Sequence, residues 1–117
     1  MNTVPVNTLY GIIYGRNALI LKEHSVAFSP LSLMITCSLS RSAGILEILD
    51  VPDVEVVFDF TDVRRICLYK VDDFPYEKYT SSTFDKVEDG EIDDRYILST
   101  YDYVFDIAGK LESIQGF

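Results

Sequence analysis

The chain has few of the residue types from which catalytic and metal sites are usually built. Its 117 residues include one histidine, two cysteines and no tryptophan. A single histidine excludes the usual His-rich zinc sites, and Cys37 and Cys67 lack the close spacing of zinc-binding pairs. Both cysteines lie in apolar runs and are predicted to be buried free thiols, although the sequence leaves a disulfide between them open. No cofactor is predicted.

Positive charge is also scarce. Ten Lys and Arg residues stand against nineteen Asp and Glu residues, which gives a formal net charge of −9. Nucleic acids and anionic membrane surfaces would be repelled by this charge, so neither is expected as a partner. The same charge would attract a basic protein. The alternative explanation is that the charge only keeps the protein soluble.

Long apolar runs are missing too. The best candidate for a membrane span, near the N-terminus, is interrupted by Gly11, Gly15 and Arg16. Arg16 is the first basic residue, so the charged start of a secretory signal is not seen. The sequence therefore predicts a cytoplasmic protein with one domain over residues 1–117, a size at which a core forms without disulfides or metals.

The dominant pattern is the period of two that is typical of half-buried strands. It is clearest in LSLMITCSLS (31–40) and VEVVFDF (54–60), where apolar residues alternate with polar ones. Further strands are predicted at GILEIL (44–49), RYILST (95–100) and YVFDIA (103–108), the last with Tyr103, Phe105 and Ile107 on one face. The three strands between 31 and 60 are predicted to form an antiparallel meander.

Several segments fit more than one structure. TDVRRICLYKV (61–71) fits a strand or a helical turn, and LYGIIYGRNALIL (9–21) fits a hairpin around GRN or an interrupted helix. DDFPYEKYTSST (72–83) is predicted to be a loop, and TFDKVEDGEI (83–92) a short strand entering a turn. Seven to nine short strands with almost no helix predict a mainly β, single-domain antiparallel β-sandwich or flattened barrel.

The acidic stretch DKVEDGEIDD (85–94) invites comparison with a calcium loop. If Asp85 is the first ligand, the third and twelfth positions fall on Val87 and Tyr96, which lack the required carboxylates. A hairpin turn with Gly90 at a positive φ accounts for the same sequence without a bound ion. The only histidine, His24, has no nucleophile-elbow motif to serve, and no phosphate-binding glycine loop occurs. No enzymatic activity is predicted.

Residues 72–94 combine nine acids with aromatic side chains and only two lysines. Such a surface suits a basic protein partner, whereas the alternative is that the aromatic residues fill the core beneath a long loop. The predicted partner-binding residues are Asp72, Asp73, Tyr76, Glu77, Tyr79, Glu88, Asp89, Glu91, Asp93 and Asp94.

The segments VVFDFTDVRRICLYKVDDF (56–74) and RYILSTYDYVFDIAGKLESI (95–114) resemble small bacterial proteins of the immunity type. The resemblance covers about the second half of the chain. It implies a β-rich protein that binds and blocks a cognate toxin without catalytic residues. Two other functions remain open: an accessory subunit held in an assembly by a sheet edge, and a small-ligand β-barrel whose cavity is lined by Tyr and Phe. Homo-oligomers also remain open.

Overall fold

The computed structural model describes residues 2–40, 52–75, 82–88 and 94–116. Nine strands and one 3₁₀ turn are found in these ranges. The strands are β1 (Thr3–Pro5), β2 (Asn7–Thr8), β3 (Gly11–Ile12), β4 (Leu19–Ala27), β5 (Ser32–Leu39), β6 (Val54–Lys70), β7 (Thr83–Val87), β8 (Arg95–Ser99) and β9 (Tyr103–Gly116), and the turn is Val71–Asp73.

Seven strands form one antiparallel sheet in the order β1-β7-β8-β9-β6-β5-β4, and β2 pairs with β3 in a small separate sheet. The prediction of a mainly β, antiparallel fold is therefore confirmed. In the described part of the chain, no helix has the length and hydrophobicity needed to cross a membrane.

The two longest strands bend the sheet into two layers. Between Thr61 and Arg65 of β6 the register shifts, so that three residues lie opposite Gly109 of β9. Such bulges are where strands pass from one layer of an orthogonal sandwich to the other. Layer A then contains β4, β5, the first half of β6 and the second half of β9. Layer B contains β1, β7, β8 and the remaining halves of β6 and β9.

Aromatic packing shows that the sheet folds over on itself. In a flat sheet β6 and β7 would lie about 14 Å apart, because β9 and β8 separate them. The ring centroids of Phe58 on β6 and Phe84 on β7 are nevertheless 5.0 Å apart. Phe84 also stacks on Tyr96 at 5.5 Å, and Phe60 packs on both. These rings fill the space between the layers and form the main core.

Layer B is buried on its outer face as well. Ile97, Val104, Val87 and Phe74 form a second, smaller cluster there, with Tyr69 and Val71 packed against it. The sequence predicted one buried face for β9, with Phe105 and Ile107 inward. That expectation was incomplete, because Val104 and Asp106 on the opposite face are equally buried.

The structure decides several open alternatives. The segment 61–71 continues β6 as a strand almost to its end, and the N-terminal segment forms strands. Its hairpin turns at Leu9 and Tyr10, between β2 and β3, so the predicted hairpin around GRN is wrong. The predicted meander is also wrong, because β5 and β6 are direct neighbours with Leu39 opposite Val54. The strand predicted at 44–49 lies outside the described residues.

Candidate functional site

The described members of the predicted acidic surface lie at two ends of layer B. Asp72 and Asp73 are exposed in the 3₁₀ turn after β6. Glu88 follows β7 and Asp94 precedes β8, at the opposite end of strands about 13 Å long. The remaining members lie outside the described residues, namely Tyr76, Glu77, Tyr79, Asp89, Glu91 and Asp93.

Asp94 lines an open cleft of about 450 Å³ at the bend of the sheet. We call this the bend cleft. The bulge of β6 and the turn between β4 and β5 form its sides. Its lining residues are Pro30, Leu31, Asp62, Val63, Arg64, Asp94 and Lys110. The cleft therefore offers apolar walls and charged groups of both signs.

The backbone around the bend cleft is held in unusual conformations. In the described ranges, the non-glycine residues with positive φ are Ser29 (64°), Asp62 (48°) and Asp94 (54°), and all three line the cleft or adjoin a lining residue. Such conformations cost free energy and cluster at binding sites, where the surrounding structure maintains them.

Two main-chain hydrogen bonds hold the rim of the cleft. The Val63 N–H donates to the Leu31 carbonyl at 3.0 Å, and the Gly109 N–H donates to the Asp94 carbonyl at 2.8 Å. Gly109 also lies too close to Val63 for a larger residue, because a Cβ atom there would stand 3.0 Å from the Val63 Cα. The bulge and the start of β8 are thus fixed relative to each other.

An exposed aromatic residue lies two positions before Pro30, which lines the cleft. Phe28, in the same turn as Pro30, is 78% exposed, the largest exposure among the large apolar side chains that the structure describes. We call the bend cleft together with Phe28 the bend surface. It combines an aromatic side chain, a rigid concave surface and carboxylates, which suits contact with another macromolecule.

A buried ion-pair network on the outer face of layer B was not predicted from the sequence. The Asp106 side chain, 2% exposed, accepts hydrogen bonds from Arg95 Nε at 2.9 Å and Arg95 Nη2 at 2.7 Å. Arg65 Nη2 adds a third at 3.2 Å. No local pattern in the sequence indicates this network, because only the strand order places Arg65 and Arg95 beside Asp106.

The histidine and cysteines do not form a reactive group in the structure. His24 lies on β4 with its ring centroid 6.3 Å from that of Phe105. Cys37 and Cys67 are both free, so no disulfide joins them. Cys37 is buried as predicted, whereas Cys67 is only half-buried. Burial raises the pKa of the Cys37 thiol to about 12, which keeps it protonated and unreactive at neutral pH.

The calcium-loop alternative can be examined where its residues are described. Asp85 is buried within β7, opposite Ile97, and Tyr96 lies in the main core. Residues 89–93 of this stretch lie outside the described ranges. Among the residues that the structure does describe, no group of three or more His, Cys, Asp or Glu side chains is placed to hold a metal ion.

Comparison with protein-family models, with curated proteins and with solved structures finds no match to this chain.

Proposed function

We propose that the chain is a non-enzymatic protein-binding domain that docks a partner through the bend surface. The observation that carries this proposal is the 78% exposure of Phe28 beside a fixed, charged cleft. Burying a phenylalanine side chain contributes about 1.5–3 kcal/mol, so a partner that covers Phe28 would gain about that much on binding. Aromatic residues next to pockets are also where binding energy concentrates in protein interfaces.

The charge of the chain favours a basic partner. The net charge of −9 would attract a positively charged protein over distances of about a Debye length, roughly 10 Å. Asp62 and Asp94 at the cleft provide carboxylates for short-range contacts. In the form that the resemblance to immunity proteins implies, the partner is a basic toxin, and the domain blocks it by covering its surface.

The resemblance to immunity proteins implies that the toxin is encoded beside this chain, so the test is binding to the product of the neighbouring gene, measured by titration calorimetry at low salt. We expect Phe28→Ala to weaken binding about 30-fold, which corresponds to a hot-spot loss of about 2 kcal/mol. Leu9→Ala is the matched control, because Leu9 is 63% exposed on the distant β2–β3 turn. Equal losses for both variants would reject the bend surface as the contact site, and binding that is insensitive to added salt would reject a basic partner.

A second candidate function is that of an accessory subunit held in an assembly by a sheet edge. One observation favours it: within the described ranges, Arg65–Lys70 of β6 pair with β9 alone. Formation of a stable homo-oligomer by the isolated chain, measured by sedimentation, would support this function over a one-to-one complex.

A further inference from the structure

Strand β6 changes its position in the sheet along its length. Its first half is central, because residues 54–60 pair with β5 on one side and residues 56–61 pair with β9 on the other. After the bulge, Arg65–Lys70 retain the pairing with β9, whereas the pairing with β5 does not extend past Phe60, because β5 begins only at Ser32. We call residues 65–70 of β6 the open edge.

The direction of the hydrogen bonds identifies which residues face away from the sheet. The Gly109 N–H and the Tyr103 carbonyl both point towards the β8 side of β9. Because successive residues alternate in direction, the even-numbered residues 104, 106 and 108 point towards β6, where they pair with residues 69, 67 and 65. The main-chain groups of Ile66 and Leu68 therefore point outward at the open edge.

Within the ranges that the structure describes, no strand covers the wall of the sandwich beside this edge. Leu68 lies opposite the buried Phe105, and Val26 of β4 lies opposite the buried Leu33, so both side chains face the interior. They nevertheless remain 47% and 39% exposed. An apolar side chain that faces the interior but stays in water indicates that no element of the described ranges covers that position.

The charge at the open edge differs from that of the rest of the molecule. Residues 64–70 contain Arg64, Arg65 and Lys70 and no acid, within a chain of net charge −9. Arg65 belongs to the Asp106 network, yet its side chain remains 40% exposed on the outer face. An added strand with acids on its outer face would bring a carboxylate next to Arg65.

We propose that the open edge binds, by β-strand addition, an extended segment of another protein in which apolar residues alternate with acidic ones. The segment's main chain pairs with Ile66 and Leu68, its apolar side chains close the wall over Val26 and Leu68, and its acids face Arg65. A second copy of this chain fits less well, because antiparallel self-pairing about Cys67 places Arg64 opposite Lys70 and brings together two strongly negative molecules. This inference is independent of the bend surface, and it deepens the second candidate function, which rests on the same sheet edge.

The experiment uses a blocked peptide of alternating valine and glutamate, seven residues long, titrated into ¹⁵N-labelled protein. We expect saturable shifts and slowed hydrogen exchange at the amides of Ile66 and Leu68. Replacing glutamate by lysine in the peptide should weaken binding at least about tenfold, because the lysines would face the basic edge. A peptide that is N-methylated at alternate residues lacks the main-chain N–H donors along one of its edges, and it should not pair with the protein through that edge.

Leu68→Ser is the protein variant, and Met34→Ser is its control, because Met34 is 43% exposed on the neighbouring β5 but away from the open edge. Only Leu68→Ser should weaken binding of the peptide, and the circular dichroism spectra of both protein variants should be unchanged. The inference is overturned if the glutamate and lysine peptides bind equally, if the shifts lie outside 64–70, or if the protein forms a dimer that Leu68→Ser dissociates.

Discussion

Replacing Asp106 with asparagine would remove the negative charge that two arginines share on the outer face of layer B. The Asp106 side chain is 2% exposed and that of Arg95 is 11% exposed, and two hydrogen bonds at 2.7 and 2.9 Å join them. The asparagine retains one oxygen that can accept a hydrogen bond. Its amide group, however, would face the donors of Arg95, and an amide N–H cannot accept a hydrogen bond from them.

The expected loss is large because the remaining charge is buried. Removing one partner of a buried ion pair costs about 3–5 kcal/mol, since the other charge stays desolvated without compensation. The residual hydrogen bond of asparagine places Asp106→Asn near the lower limit, at about 3 kcal/mol. A domain of this size is stabilised by about 5–15 kcal/mol in total, so the melting temperature should fall by about 10–15 °C.

Urea unfolding followed by circular dichroism measures the free energy of unfolding of each variant. Asp102→Asn is the control, because Asp102 is exposed at the turn before β9, and it should change the free energy by less than about 0.5 kcal/mol. The double variant Arg95→Met and Asp106→Leu should recover most of the loss, since it removes both members of the buried pair and leaves only Arg65, whose side chain is 40% exposed. A loss below about 1 kcal/mol for Asp106→Asn would refute the reasoning.

Three further predictions concern the core and the bend. Because burial raises the pKa of Cys37 from 9.0 to about 12, its contribution to stability is complete below pH 9 and is lost as the pH rises towards 12. Between pH 8 and 10.5, the free energy of unfolding of the unmodified protein should fall by about 2 kcal/mol more than that of Cys37→Ala. The same decrease in both proteins would contradict the raised pKa of Cys37. Gly109→Ala should lower the free energy of unfolding by about 1–3 kcal/mol, because its Cβ would stand 2.9 Å from Val63 Cγ2. Adding Val63→Ala should recover part of that loss, because it removes the side-chain contact but leaves the contact with the Val63 main chain. If urea titrations show no recovery in the double variant, the contact with Val63 Cγ2 is not the cause of the loss. Phe84→Ala should cost about 3–5 kcal/mol by calorimetry, because three aromatic rings pack against Phe84, and a loss of about 1 kcal/mol would show that the layers collapse to refill the space.

The elements themselves were largely predictable from local patterns. Alternation in 31–40 and 54–60 predicted β5 and the first half of β6, with Val56, Phe58 and Phe60 buried. It succeeded because a strand with one face on the core repeats every two residues. It was incomplete for β9, because layer B is covered on both faces, and a strand buried on both sides loses that contrast.

The acidic and basic residues were harder to interpret from the sequence. Asp106 occupies a polar position in an alternating strand, as a solvated acid would, and only its position between Arg65 and Arg95 in three dimensions explains its burial. The predicted acidic surface was defined by closeness in sequence. The fold instead separates Asp72 and Asp73 from Glu88 and Asp94. The two pairs lie at opposite ends of the layer B strands, and the length of β7 and β8 keeps them apart.

The sequence by itself determined that this is an antiparallel β protein with a strongly negative charge, because strand periodicity and net charge are local sums over residues. Only the tertiary structure decided where the sheet bends, which half of β6 is left at an edge, and which residues of positive φ meet at the bend cleft. Those features depend on pairings between residues far apart in the chain, such as Leu31 with Val63 and Asp94 with Gly109, and no local pattern encodes them.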